Sequence, residues 1–132
     1  MDNHFIFLTF SEVLLIHQNQ IELYGGQPGL RDEGLLCSAL AQPEATFQEK
    51  YLHFEIYSMA AAYLYHLCQN HPFIDGNKRV ATVCSLVFLE LNDYELEVDI
   101  DLLEETTMGT ASGKINKDDL VEFFKKYTLK IN

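Results

Sequence analysis

Apolar residues recur three and four positions apart along most of this chain, and that spacing predicts a mainly helical protein. Thr9-Phe10-Ser11-Glu12 has capping-box spacing, and Val13, Leu14, Ile16, Ile21 and Leu23 follow it until Gly25-Gly26 intervenes, so a first helix is expected over about residues 10–24. Asp32 can cap a second helix running through Leu35, Leu36 and Leu40 to the breaker Pro43. Between Glu55 and Gln69, Ile56, Met59, Ala60, Tyr63, Leu64 and Leu67 form a stripe, with alanines on the neighbouring face that allow close helix contact. The segment from Asn77 to Leu91 is apolar nearly all round, interrupted by Thr82, Ser85 and Glu90, and such a helix is expected at the centre of a bundle. Beyond Asn92 the pattern shortens. Glu95-Leu96-Glu97-Val98 alternates like a strand, Asp99 or Asp101 can cap a helix ending at Gly113, and Asn116 can cap a last one with the stripe Leu120, Val121, Phe123, Phe124, Tyr127.

At 132 residues the chain is expected to form one domain, residues 1–132, and 48% hydrophobic residues suffice for a core. No apolar run reaches the roughly 18 residues that span a bilayer. The N-terminus, Met1-Asp2-Asn3-His4-Phe5, lacks the basic start and small-residue cleavage site of a signal peptide, so the expected location is cytoplasmic. A net charge of −11 argues against direct DNA binding and favours a basic or flexible partner segment. Cys37, Cys68 and Cys84 each fall in an apolar helical context and are expected to be buried thiols. Asp99, Asp101, Glu104 and Glu105 lack the glycine and the spacing of a calcium loop and read as a solvated helix start.

The candidate chemistry is concentrated in His71-Pro72-Phe73-Ile74-Asp75-Gly76-Asn77-Lys78-Arg79, which runs directly into the apolar segment from Val80 to Leu91. A helix N-terminus leaves backbone N–H groups unpaired and carries about half a positive charge, so it seats an anion. Gly76 permits close approach to the backbone and the positive φ that a concave row of amides needs. Asn77 can donate to an anionic oxygen or cap the helix, Lys78 adds a cation, and Arg79 can grip two phosphate oxygens. Asp75 offers one hard carboxylate of the kind Mg²⁺ takes together with water and phosphate oxygens. Histidine titrates nearest neutrality of all side chains, which makes His71 the natural general base. A plain capping turn is the competing reading of Asp-Gly-Asn, but a structural cap favours Asp or Glu in the first turn, and two cations there make sense around an anion. Phe73 is assigned to packing under the loop.

These nine positions resemble the Fic/Doc superfamily, whose Fic members carry His-Pro-Phe-x-Asp/Glu-Gly-Asn-Gly-Arg-x-x-Arg and whose death-on-curing (Doc) branch carries a similar loop with Asn-Lys-Arg near its end. Gly29-Leu30-Arg31-Asp32-Glu33-Gly34-Leu35-Leu36 is similar to the Gly-Leu-Arg-Asp segment that precedes the loop in Doc-like proteins. The resemblance implies an all-α fold, a compact Fic-like helical bundle around a buried central helix with at most a short flap or β-hairpin. It implies that His71 deprotonates a Ser, Thr or Tyr hydroxyl on a target protein, a translation factor among the candidates, and that Asp75 holds Mg²⁺ against the phosphates of ATP or another nucleoside triphosphate. Gly76, Asn77 and Lys78 would form the anion hole with their amides and side chains, Arg79 would pair with a phosphate, and Phe73 would anchor the loop. Thr46, Phe47, Gln48, Glu49, Lys50 and Tyr51 fall where Fic-like proteins place a flap that aligns the target chain; an ordinary linker is the other reading of that stretch.

Lys78 stands where Fic proteins have glycine, and Thr82 stands where they have the second arginine that helps hold the terminal phosphate for AMP transfer. Lys78 is shared with the Doc branch, whose members are associated with phosphate transfer, while Gly76 is kept where Doc-type loops can carry alanine. The expected activity is therefore transfer of the terminal phosphate by a toxin-like enzyme, with AMP transfer as one alternative and a catalytically silent binding module as another. The internal inhibitory Ser/Thr-x-x-x-Glu-Gly/Asn motif of some Fic proteins has no match, so inhibition is expected from a small antitoxin in trans.

Overall fold

The protein is described by a computed structural model covering residues 4–47, 50–53 and 55–131. Six helices follow one another as α1 (Phe10–Tyr24), α2 (Glu33–Ala41), α3 (Ile56–Asn70), α4 (Asn77–Leu91), α5 (Ile100–Ala111) and α6 (Lys117–Tyr127). Two short antiparallel ribbons accompany them: the hairpin β1 (Thr46–Phe47) with β2 (Lys50–Tyr51), and β3 (Tyr94–Leu96) with β4 (Thr128–Lys130). The all-α expectation holds.

Local rules set the helix ends. Thr9 accepts from the Glu12 N–H at 3.1 Å while Glu12 accepts from the Thr9 N–H at 2.8 Å, a reciprocal box worth about 1 kcal/mol. Asn116 and Asp119 repeat it at the start of α6, and Asp32 caps α2 through the Leu35 N–H at 2.9 Å. Gly25 and Gly113 end α1 and the α5 turn with φ of 85° and 86°. Asp99, Asp101, Glu104 and Glu105 are exposed at the start of α5, as a solvated helix start requires.

Burial places α3, not the motif helix, at the centre. Met59, Ala60, Ala61, Ala62, Tyr63 and Leu64 are all 0% exposed, and six consecutive residues at 100° each go more than once round a helix. It packs against α2, α4, α5 and α6. The expectation that the segment 77–91 would be central followed its apolar count, but Thr82, Val83, Leu86 and Val87 are half-buried and only Val80, Ala81, Cys84, Ser85, Phe88 and Leu89 are buried. Alanines let neighbours approach α3 closely on every side, whereas the bulky residues of α4 cover one broad face.

One cysteine departs from its expectation for a simple reason. Cys68 and Cys84 are buried, and burial pushes the Cys68 thiol up to about 12 and raises Cys84 as well. Cys37 is exposed, because α2 is a single short helix whose Leu36, Ala39 and Leu40 stripe faces the core and leaves Cys37 outside it. The strand expected at 95–98 lies at Tyr94–Leu96, and its partner β4 at the chain end has no counterpart in the sequence reading. The expected flap at 46–51 is a hairpin with Thr46 opposite Tyr51 and Phe47 opposite Lys50; Gln48 and Glu49 lie outside the described residues. Tyr51 packs on Phe5 and Phe7, with ring centroids 5.9 and 5.8 Å away, and Phe7 stacks in turn on Phe88.

Candidate active site

Three segments converge on the N-terminus of α4: the end of α1 with the turn after it, the stretch 29–32 before α2, and the loop 71–76. The loop leaves α3 at His71, whose φ of 48° is left-handed, and enters α4 at Gly76, whose φ of 79° is left-handed as well. Between them Phe73 goes into the core at 1% exposure and pairs its backbone with Leu30 in an antiparallel bridge. The loop is therefore anchored at its middle, with the His71 and Asp75 side chains left exposed on either side.

Asn77 ties the loop to the helix. Its side-chain oxygen accepts from the Phe73 N–H at 2.9 Å and its side-chain nitrogen donates to the Phe73 carbonyl at 2.9 Å. The carboxamide expected in the anion hole thus spends its oxygen and one N–H on bracing the loop, and Asn77 keeps its second amide N–H and its backbone N–H for an anion. Among the described residues no hydrogen bond is made by the backbone N–H of Asn77, Lys78 or Arg79. No acidic residue stands in this first turn. Three open donors and two cations therefore face the loop in a chain whose net charge is −11.

Asp75 is exposed, and both of its oxygens are oriented: Oδ1 accepts from the Gly76 N–H at 2.8 Å and Oδ2 from the Gln27 N–H at 3.0 Å. These two donors, Gln27 first, hold the carboxyl below its ordinary range, with Arg79 and His17 adding to the effect. Each oxygen keeps a free lone pair, so the carboxylate fits a Mg²⁺ ion that also takes water and phosphate oxygens. Among the described residues no group of three or more His, Cys, Asp or Glu forms a cage for a metal. Asp75 would be the protein's own ligand.

Arg79 is half-buried and donates to two carbonyls at the end of α1, Gln20 at 3.2 Å and Gly25 at 2.8 Å. That places a cation at the negative end of the α1 dipole, and since a guanidinium carries five N–H groups, donors remain for a phosphate. The His71 side chain is exposed and makes no hydrogen bond among the described residues. It lines a cavity of about 210 Å³ with Ile74, Asp75, Gly76, Asn77, Lys78 and Arg79. Every loop residue expected to act, apart from the buried anchor Phe73, meets in this one cavity. A larger groove of about 600 Å³ between α1, α4 and α5 shares Lys78 and Arg79 with it.

The sequence profile of the Fic/DOC family matches residues 7–89. The chain belongs to the Fic/DOC family. Among its Fic/DOC relatives, Toxin Doc of Mycolicibacterium smegmatis (strain ATCC 700084 / mc(2)155) is 39% identical over 79 residues, which is 60% of this chain and 61% of that toxin. The chain thus matches less than two thirds of the toxin's own length. Protein kinase doc of Escherichia phage P1 is 28% identical over 115 residues, or 87% of this chain and 90% of the phage protein. No described helix is long and apolar enough to cross a membrane.

Sequence reasoning missed three contributors to this Fic/DOC site. His17 is 5% exposed, stacks on Phe73 at 3.9 Å and 8°, and holds the Asp75 carbonyl from Nε2 at 2.9 Å, which makes Nε2 the protonated nitrogen. Its position four residues after Val13 and four before Ile21, on the inward face of α1, was the available signal. Gly26 was read only as a helix stop, yet a side chain there would meet Asp75 Oδ2 and Arg79 Nη2. Arg31, from the 29–36 segment, donates to the His71 and Asn70 carbonyls.

Proposed function

We propose that this protein is a toxin-like enzyme that transfers the terminal phosphate of a nucleoside triphosphate to a Ser, Thr or Tyr hydroxyl of a target protein. The observation that carries this reading is the single cavity shared by the exposed His71 imidazole, the Asp75 carboxylate and the open amides of α4. His71 takes the proton of the target hydroxyl as its oxygen attacks the γ-phosphorus, and the bond to the bridging oxygen of the leaving nucleoside diphosphate breaks. The N–H groups of Asn77, Lys78 and Arg79, with the two cationic side chains, stabilise charge on the transferred group. Mg²⁺ held by Asp75 would neutralise phosphate charge. The 210 Å³ cavity holds little more than the reacting phosphates, and the adjoining groove, reached past Lys78 and Arg79, has room for the nucleoside.

Phosphate transfer is favoured over AMP transfer by Thr82. It stands where the second arginine would be, and its hydroxyl donates to the Lys78 carbonyl at 3.0 Å and pairs with Thr107 at 2.9 Å, leaving no cation on that turn. The name Protein kinase doc carried by the phage relative supports the same choice. The β1–β2 hairpin would align the target chain, and a small antitoxin would restrain the enzyme, a reading supported by the name Toxin Doc that the mycobacterial relative carries. The test is incubation with a lysate, Mg²⁺ and ATP labelled on the α- or the γ-phosphate, with wild type and His71→Ala side by side. Label from the γ position alone, lost in the variant, is the expected result. Transfer of α label means AMP transfer, and no label from either leaves a binding module.

A further inference from the structure

We infer that Arg31, which no feature of the proposed chemistry requires, is the positioning residue that fixes His71 in its reactive conformation. The inference rests on the reading of His71 as the base. Its guanidinium donates from Nε to the His71 carbonyl at 2.7 Å and from Nη2 to the Asn70 carbonyl at 3.0 Å. These are carbonyls at the C-terminal end of α3, where the helix leaves acceptors unpaired and where its own last turn has no basic residue. The cation that complements this end of the dipole is therefore supplied from another segment.

The clamp matters because His71 is strained twice. Its φ of 48° lies in the left-handed region that glycine fills most readily at this helix-ending position. It also precedes Pro72, whose ring drives the preceding residue toward extended backbone. Neither preference gives the conformation seen. What opposes them is the 29–32 segment: Arg31 on the two carbonyls before the proline, the N–H groups of Arg31 and Asp32 on the Pro72 carbonyl at 2.7 and 3.0 Å, and the Gly29 carbonyl receiving the Ile74 N–H at 3.1 Å. From Pro72 onward the loop is fixed by the 29–32 backbone together with the Asn77 and His17 side chains. Among the described residues only the Arg31 side chain bonds His71 itself, while its neighbour Asn70 is also tied to the Leu35 carbonyl at 2.9 Å, so Arg31 acts directly on where the imidazole leaves the chain.

Arg31 lies outside the cavity lining, and its loss should leave nucleotide binding intact while impairing the proton transfer. The experiment compares wild type, Arg31→Ala and Arg31→Lys for label transfer, for nucleotide affinity by calorimetry, and for the ¹³C–¹H signals of the histidine rings. For Arg31→Ala the expected result is a fall in kcat of about 10- to 100-fold, nucleotide affinity within about twofold of wild type, and a His71 ring signal that shifts and broadens while those of the other four histidines stay in place. Arg31→Lys, which can serve one carbonyl at a time, should lie between, and millimolar guanidinium should restore part of the activity of Arg31→Ala. A rate within twofold of wild type, or rate and affinity falling together while all the ring signals move, overturns the proposal. If wild type transfers no label, the reading of His71 as base fails, and the ring signals still decide whether Arg31 orders that residue.

Discussion

Asp75 and Arg79 are held by the same short turn after α1, and the residue that makes this possible is Gly26. Its φ is +120°, and a Cβ built on it would lie 2.8 Å from Asp75 Oδ2 and 3.1 Å from Arg79 Nη2, so alanine there has both a backbone and a steric penalty. Gly26→Ala should push Gln27 off the carboxylate and turn Arg79 from the α1 carbonyls. The expected result is a loss of Mg²⁺-dependent nucleotide affinity of about tenfold, equivalent to about 1.4 kcal/mol, together with a stability loss of about 1–3 kcal/mol. Calorimetric titration and urea unfolding measure the two. Unchanged affinity in a folded variant would detach this turn from the site. The loop chemistry was legible in the residue types, since a base, a carboxylate and two cations are informative without coordinates. The brace contributed by His17 was not, because a histidine on an inward helix face looks the same whether it fills space or holds the carbonyl of Asp75.

Helix α1 appears with the boundaries its capping box and following glycines predict, Phe10–Tyr24, because those signals are local, and α4 spans the apolar segment Asn77–Leu91 with no side-chain cap at its start. The order of burial was not legible. A bulky apolar helix and an alanine-rich one compete for the centre, and the outcome depends on how closely neighbours approach, a tertiary property. The pairing of β3 with β4 joins segments more than thirty residues apart, and neither is long enough to declare itself. Because α3 is enclosed on all sides, it should tolerate added volume worse than any other helix. Ala61→Leu is expected to destabilise the fold by about 1–3 kcal/mol or more in urea unfolding, whereas Leu15→Ala on the exposed face of α1, where the side chain is 65% accessible, should change it by less than about 0.5 kcal/mol. Similar costs at the two sites would mean that α3 is not the enclosed helix.

Across the whole molecule two acid responses oppose each other. Lowering the pH reduces the charge of −11 and relieves self-repulsion, but Asp and Glu take up protons mainly below about pH 5. Between neutrality and that point the histidines of α3 and the loop before it act first. His66 Nε2 accepts from Lys117 Nζ at 2.8 Å, which keeps the ring neutral; burial, then Lys117, then His53 lower its pKa to about 4. His53 is lowered by burial and then by Lys117, with the Gln42 carbonyl working the other way, and among the described residues its buried Nδ1 has no hydrogen-bond partner. From pH 6.5 down to about 4 the unfolded chain thus binds more protons at these rings than the folded one, so stability falls as pH falls through that window. One fully developed proton gives about 1.4 kcal/mol per pH unit, and rings half in solvent should give clearly less. The expected outcome is a urea midpoint that drops from pH 7 to pH 5.5, and a shallower drop in His66→Gln, whose amide oxygen can still accept from Lys117 but does not titrate. A midpoint that rises over this range, or identical slopes in the two proteins, would assign the acid response to net charge and remove the Lys117 cluster from it.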